Sequence, residues 1–423
     1  MTHFIITALG SYGDVHPMVG LGCALAARGH RVKIITNPYF EDVVTGAGLE
    51  LVPLGEPDEY VRLTEHSDLW HPTRGPRMVL SYASARKLRP LYELLVANYV
   101  AGDTVFCAHT MDMASRTAGE KLGAPCASVL FAPGALWTVH DSPRLKGALL
   151  GPWVPRWLKQ LQFSVADQFI MGRLLGPEIN GLRRELGLAP VKRIFSDWLF
   201  AGNLVLGLFP DWFGPRQPDW PTNVKAVGFP LWDAPGEQEL PDDVRAFLDA
   251  GEPPIAFSPG SANKEAHQFF AAGVDACQRL GRRGILLTKY DHQLPKLPES
   301  VKHVGFVPMS RLLPRTAAIV HHGGIGSCGQ SFAAGVPQVI RPMSYDQFDN
   351  SRRVVRLGVG AEISVRQFSG ERVAAAISKL LSYRDVATRC GELAAKCNGR
   401  ESLMAACVAL EELVKRPRVS VGG

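Results

Sequence analysis

The chain lacks most of the marks that would place it at once in a metal, membrane or nucleic-acid class. Its eight cysteines are scattered without a CxxC pair, so neither a zinc site nor a disulfide framework is signalled, and reduced thiols are expected. No uninterrupted apolar run approaches the roughly 20 residues of a membrane-spanning helix. The net charge of +6 is spread along the sequence with no lysine-rich tail or basic repeat. That pattern gives no footprint for nucleic acid and remains compatible with anionic substrates or anionic lipid. The opening Met1-Thr2-His3-Phe4-Ile5-Ile6 enters a strand at once, so a cytoplasmic chain without a signal peptide is expected. What the chain does have is 423 residues and 46% hydrophobic content, which suits two domains with large cores.

The most informative stretch is 320–350, VHHGGIGSCGQSFAAGVPQVIRPMSYDQFDN. It opens from the apolar run 317–320, a short buried strand, and passes through Gly323, Gly324 and Gly326 into a helix over 327–334. Gly335-Val336-Pro337 stops that helix, and 338–340 starts the next strand. A glycine-rich turn at a helix N-terminus is an anion site, because unpaired N–H groups and the positive end of the helix dipole converge there. His322 is placed to donate to a phosphate. Asp346 and Gln347, one loop further on, offer an acceptor and a two-sided amide suited to sugar hydroxyls. Phosphate beside sugar points to a nucleotide-sugar. No Lys-Ser/Thr follows the glycines, and the pattern is not a GxGxxG with an acidic residue after the next strand, so neither a Walker loop nor a dinucleotide fingerprint applies. The plainer alternative is an ordinary βα turn with one core and one surface histidine.

Earlier in the chain, a strand over 4–9 leads through Gly10-Ser11-Tyr12-Gly13-Asp14-Val15-His16-Pro17 to a helix over 18–27 and a second strand over 31–36. This βαβ unit opens a doubly wound sheet, whose ligands lie beyond the carboxyl ends of the strands. Asp14 falls there, on the connecting loop, either as a functional carboxylate or as a cap for the helix starting near Pro17. Further strands are expected at 49–54, 104–108, 126–131 and 204–209. In the second half they are expected at 255–257, 284–288 and 301–304. A helical run covers 78–99, and the tail from 371 to 415 is nearly all helical with Gly399 as a break. His109 and Asp112 are read as a charge pair without an assigned role. Segment 147–175 mixes Trp153, Trp157, Phe163, Phe169 and Ile170 with Arg156 and Lys159. It suits either a membrane interface or the mouth of a pocket for a greasy acceptor. The competing reading is a core-facing helix with a solvated basic side.

The spacing His322-x-Gly324-x-x-Ser327, Gly335-x-Pro337, Asp346-Gln347-x-x-Asn350 resembles the donor signature of family 1 glycosyltransferases. The resemblance implies an α/β GT-B fold, two Rossmann-like doubly wound domains facing a central cleft. It divides the chain into an N-terminal acceptor-binding domain at 1–228, a linker at 229–241 and a nucleotide-sugar domain at 242–385. C-terminal helices at 386–423 follow, the last packing back on the N-terminal domain. On the donor side it implies Ser261 in a turn against the diphosphate and Phe306-Val307-Pro308 in place of the family's Trp-x-Pro, with Phe306 stacking on the base. His322, Gly324, Gly326, Ser327, Asp346 and Gln347 complete the donor set. On the acceptor side, Gly10-Ser11-x-Gly13-Asp14-Val15-x-Pro17 is similar to the acceptor loop of sterol and glycopeptide glycosyltransferases. Asp14 occupies the place of the general base, with His16 the second choice; Ser11, Trp153 and Trp157 are acceptor contacts.

Further local runs, among them Leu69-Trp70-His71-Pro72 and Gly228-Phe229-Pro230-Leu231, resemble the rhamnosyltransferases of rhamnolipid synthesis. That likeness implies dTDP-L-rhamnose as donor and a hydroxyacyl lipid as acceptor. Gln330 stands where many UDP-sugar enzymes carry a glutamate for the ribose hydroxyls, which fits a deoxyribose. The implied chemistry is inverting and independent of metal: no DxD pair lies beside the donor loop, and no cofactor is expected beyond the dTDP- or UDP-linked co-substrate. The expected partners are that donor and a hydrophobic acceptor, with peripheral contact at the inner face of the cell membrane and no nucleic acid. Three alternatives stay open: a UDP-sugar glucosyltransferase acting on a sterol or other aglycone, a nucleotide-sugar epimerase, and a non-catalytic binding protein on the same scaffold.

Overall fold

A computed structural model describes residues 1–233 and 239–415. The chain forms two compact units. The first comprises residues 1–232 together with the helix Gly399–Lys415, and the second runs from Asp233 to Asn398. Within the anticipated linker, residues 234–238 lie outside the described residues, as do 416–423 of the C-terminal segment.

The first unit holds a seven-stranded sheet of β1 (His3–Thr7), β2 (Arg31–Thr36), β3 (Glu50–Pro53), β4 (Thr104–His109), β5 (Cys126–Leu130), β6 (Leu204–Gly207) and β7 (Val224–Ala226). Its order is β3-β2-β1-β4-β5-β6-β7, with parallel pairing throughout. Strands β1, β4 and β5 are buried along their whole length. Runs such as Phe-Ile-Ile and Val-Phe-Cys-Ala are what a sheet covered on both faces requires. The strand order reverses between β1 and β4, the place where a doubly wound sheet opens a ligand site.

The helix Gly399–Lys415 packs on the helix Tyr12–Ala26 and on β4 and β6. Glu411 fastens it: Arg28 donates to both carboxylate oxygens, at 2.6 and 2.8 Å, and His30 Nε2 lies 2.9 Å from Oε1. The Arg28 hydrogen bonds hold the Glu411 carboxyl at about 2.

The second unit holds a six-stranded parallel sheet of β8 (Ile255–Ser258), β9 (Gly284–Leu287), β10 (Val301–Val304), β11 (Ala318–His321), β12 (Gln338–Ile340) and β13 (Gly360–Glu362). Its order is β10-β9-β8-β11-β12-β13, with the switch between β8 and β11. The unit continues past residue 385 because the helix Arg384–Ala394 packs on the helix Ile325–Ala333.

Three local expectations change. The first helix begins at Tyr12 and carries Pro17 inside it, so Asp14 lies in its first turn and not on a preceding loop. The 78–99 run is three pieces, Arg74–Leu80, a wider i+5 segment Ser81–Arg86, and Leu88–Asn98. The edge strands β7 and β13 are additional.

Candidate active site

Of the residues expected on the donor side, the Ser261 turn and the His322 turn lie at the switch of the second sheet, whereas Phe306 and Val307 follow its edge strand β10. Ser258 at the end of β8 is paired with His321 at the end of β11, so the turns that follow these strands lie side by side. The ring of His322 fills the space between them. A Cβ on Gly260 would come within 2.9 Å of His322 Nε2, and one on Gly324 within 2.5 Å. Only glycine allows both backbones to close on the imidazole. Part of the His322 surface stays accessible, but Nδ1 is buried. Burial lowers the imidazole to about 4, against an opposing hydrogen bond with the Ser258 backbone.

His321 pins the turn from beneath. Its Nδ1 accepts from the Gly323 N–H at 3.1 Å, so its proton sits on Nε2 and is donated to Gln338 Oε1 at 3.0 Å. Burial, and then the neighbouring His322, lower it to about 3. After Gly324 the helix Ile325–Ala333 begins. The N–H groups of Ile325, Gly326 and Ser327 in its first turn have no acceptor within the helix, and Gly326 is exposed. This is the geometry that attracts a phosphate.

Asn350 joins the second half of the motif to the first. Fully buried, it donates through Nδ2 to the Gly323 carbonyl at 3.0 Å and to Asp346 Oδ2 at 2.7 Å. The loop preceding Asp346 turns at Tyr345, whose φ of 57° is the one positive value at a non-glycine residue among those described. Gln347 corrects one expectation. Its Oε1 accepts from the Met343 and Ser344 N–H groups at 2.9 and 3.1 Å, leaving the NH2 as its remaining donor. The two-sided amide is therefore half committed to shaping the loop.

Ser261 is exposed in the turn after β8. Phe306 is 57% exposed. Val307 is a core residue, packed with Val244, Leu248, Ile285 and Leu312, so its side chain offers nothing to a ligand and only its backbone can. Sequence reasoning passed over Arg341, directly after β12. Its guanidinium lies over Phe368 at 5.2 Å and Phe269 at 5.9 Å, and burial lowers its pKa.

In the first unit, Asp14 is held by its own helix cap. Oδ2 accepts from the Ser11 N–H at 2.7 Å and the Ser11 hydroxyl at 3.2 Å. Gly10, at φ 135°, leaves the room this carboxylate needs, since a Cβ there would overlap Oδ2. The other oxygen, Oδ1, lies 3.3 Å from Nε2 of His109. His109 Nδ1 accepts from the Met111 N–H at 3.1 Å, so the neutral ring carries its proton on Nε2 and turns it toward Asp14. The His109 ring is buried while Asp14 keeps 31% of its side chain accessible.

The expected pairing of His109 with Asp112 is replaced by this one. Asp112 is buried, accepts from the Thr7 hydroxyl at 2.7 Å and the Ser115 N–H at 2.9 Å, and has its carboxyl pKa raised by that burial. Asp14 thus caps the helix while part of its carboxylate stays accessible. His16 is two residues further, about 200° round the helix, with its ring edge-on to Tyr12 and Trp232. Trp153 and Trp157 are 76% and 69% exposed.

Two parallel doubly wound sheets, each with polar groups at its switch, define the GT-B architecture. Residues 4–139 match the glycosyltransferase family 28 N-terminal domain, and residues 283–410 match the C-terminal domain of erythromycin biosynthesis protein CIII-like proteins. The chain is a glycosyltransferase of GT-B fold that uses a nucleotide-sugar. It is 29% identical to an O-mycaminosyltylonolide 6-deoxyallosyltransferase of Streptomyces fradiae over 420 residues, covering 96% of each chain. It is 27% identical to a sterol 3-beta-glucosyltransferase of Arabidopsis thaliana over 89% of this chain and 60% of that one. The fold is also that of the spinosyn rhamnosyltransferase SpnG solved with thymidine diphosphate, with a TM-score of 0.68, 18% identity, and coverage of 96% and 100%. Among the described residues, no helix is long and apolar enough to cross a membrane.

Proposed function

We propose that the enzyme transfers a 6-deoxyhexose, L-rhamnose first among them, from its dTDP-linked form to a hydroxyl of a hydrophobic, lipid-like acceptor, with inversion at the anomeric carbon. The observation that carries the donor half is the union of the glycine turn, the His322 ring and the Asp346 loop through Asn350. Phosphate at the helix N-terminus and hydroxyls at Asp346 and the Gln347 NH2 follow from the groups these residues present. Gln330, in place of a carboxylate, supports a deoxyribose over a ribose. A pocket built to bond a hydroxyl rejects ligands lacking it, whereas one without such a partner accepts either. The thymidine diphosphate bound to SpnG and the deoxysugar in the Streptomyces relative's name point the same way.

In this mechanism Asp14 takes the proton of the acceptor hydroxyl as that oxygen attacks the anomeric carbon, a step worth roughly a hundred- to ten-thousand-fold. The bond from the anomeric carbon to the diphosphate oxygen breaks, and the negative charge left on that oxygen meets the first-turn N–H groups of Ile325 to Ser327 and the Ser261 turn. His109 is a positioning residue: its Nε2–H fixes one carboxylate oxygen, while Ser11 fixes the other.

A second reading keeps the chemistry and changes the substrates to UDP-glucose and a sterol, which the Arabidopsis relative favours. Transfer efficiency for dTDP-rhamnose against UDP-glucose, on one hydroxyacyl lipid and one sterol, separates the two. A clear preference for UDP-glucose removes the rhamnosyl assignment and leaves the glycosyltransferase standing.

A further inference from the structure

The helix Arg156–Val165 and the wider segment Ala166–Met171 that continues it carry two apolar faces. The inner face is fully used. Phe163 stacks on Trp137 at 5.2 Å, and Trp137 stacks on Phe195 at 5.5 Å. Asp167 is buried and accepts from the Phe195 and Ser196 N–H groups at 3.0 and 2.8 Å. Lys159 also lies on the buried side, so a core-facing helix with a solvated basic side does not describe this element.

The outer face is apolar as well. Trp157, Leu161, Val165 and Phe169 follow one another at four-residue steps, and each is exposed, as is Ile170 beside them. Trp153 precedes the helix and is exposed as well, with its indole beside Gly151. Leu149, 63% exposed, is fixed to the helix at Gln162 by a reciprocal pair of bonds: its N–H donates to Gln162 Oε1 at 2.9 Å, and Gln162 Nε2 donates to its carbonyl at 2.8 Å. A contiguous exposed stripe of two tryptophans, a phenylalanine and aliphatic side chains is uncommon on a protein that meets only water.

Along the chain through the stripe the charges are nearly all of one sign. Between residues 142 and 173 the sequence has Arg144, Lys146, Arg156, Lys159 and Arg173 against one acid, the buried Asp167. Arg156 and Arg173, at the two ends of the stripe, have no acidic partner among the described residues. Arg173 instead lies over the Phe169 ring at 5.7 Å. Indoles and aliphatic groups between unneutralised guanidinium groups match the layer of a bilayer where anionic headgroups meet acyl chains.

We propose that this stripe docks the enzyme on an anionic lipid surface, with Trp153, Trp157, Leu161 and Phe169 in the headgroup–acyl boundary and Arg156 and Arg173 on lipid phosphates. The inference stands independently of which sugar is transferred, because binding is its readout.

The test is co-sedimentation of the full chain with vesicles of phosphatidylcholine containing about one-third phosphatidylglycerol, against phosphatidylcholine alone. The intact protein partitions onto the anionic vesicles, and brominated acyl chains quench its tryptophan emission. The double substitution Trp153→Ser with Trp157→Ser lowers partitioning at least about tenfold. Arg156→Gln with Arg173→Gln lowers it about tenfold on anionic vesicles only, and raised salt reproduces that loss. Both variants keep the wild-type melting temperature, which excludes misfolding as the cause. Failure of the intact protein to sediment with anionic vesicles overturns the proposal, as does partitioning indifferent to the tryptophan pair. A concentration-dependent dimer abolished by that pair, without vesicle binding, also overturns it and makes the face an interface between copies.

Discussion

In the C-terminal unit the candidate site is made mostly of backbone, whereas in the N-terminal unit the proposed site rests on one carboxylate. Around His322 the chain supplies two glycine turns, the open end of a helix and a buried asparagine. Its two histidines are held neutral by burial. Around Asp14 the chain supplies a partly accessible acid with a histidine proton on one oxygen and a serine on the other. The first arrangement suits a ligand whose charge is already present and must be met by fixed dipoles. The second suits a proton that must move. The contrast makes distinct demands of mutation: the backbone site fails through its supports, and the carboxylate site through a single atom.

The largest effect expected is on chemistry alone. Asp14→Asn preserves the Ser11 cap geometry but cannot take a proton, so sugar transfer falls by at least about a hundredfold while thymidine diphosphate still binds. Near-normal turnover in that variant would move the base elsewhere, to His16 first. Gly10→Ala crowds the same carboxylate from behind and should lower turnover with it. His109→Phe should lower kcat with little change in donor affinity, as expected of a group that positions the base; an equal rise in donor KM would mark it as a structural residue.

Next comes acid lability of the backbone site. Both imidazoles lie below their unfolded value of about 6.5, at about 3 for His321 and about 4 for His322. The unfolded chain therefore takes protons first as pH falls. Their contribution is fully present above pH 6.5 and drains as pH drops toward 4 and then 3, by up to about 1.4 kcal/mol per pH unit for each ring. Urea denaturation at pH 7 and pH 5 measures it, and a His321→Asn variant should show a flatter dependence. Identical slopes in the two proteins would contradict the assignment.

Asn350→Ala leaves the Gly323 carbonyl without its buried donor, a loss of about 1–3 kcal/mol of stability. It also frees the Asp346 loop, so thymidine diphosphate-sugar affinity should fall by about tenfold, readable by calorimetry. The smallest effect is expected at Glu411→Gln, which weakens the bidentate bond from Arg28 and the contact with His30. An ion pair this near solvent contributes about 1 kcal/mol or less, seen as a slight drop in melting temperature.

The sequence made the C-terminal site more legible than the N-terminal one for the same physical reason. The glycine turn, helix start and acid–amide pair fall within 30 residues of one another, and their roles follow from backbone geometry. Asp14 and His109 are separated by 95 positions, and no local pattern announces that the ends of β1 and β4 bring them together. Pro17 suits a first helical position, which points to a later start for the first helix than the true one. The Ser11–Asp14 cap begins that helix earlier and carries the proline inside. Strands β7, Val-Lys-Ala, and β13, Gly-Ala-Glu, show no apolar run. They exist because a neighbouring strand edge offers hydrogen bonds, a tertiary cause that propensity does not contain. Val307 reads as a motif residue in sequence and is a core residue in space.

The division of labour between the two units is tested most directly by measuring thymidine diphosphate binding and single-turnover sugar transfer on the same two variants, Asp14→Asn and Asn350→Ala. Opposite patterns are expected. Asp14→Asn binds the nucleotide as tightly as the intact enzyme and fails at transfer, while Asn350→Ala binds it about tenfold more weakly and transfers normally once the donor is saturating. Loss of nucleotide affinity in Asp14→Asn, or intact affinity in Asn350→Ala, would contradict that division.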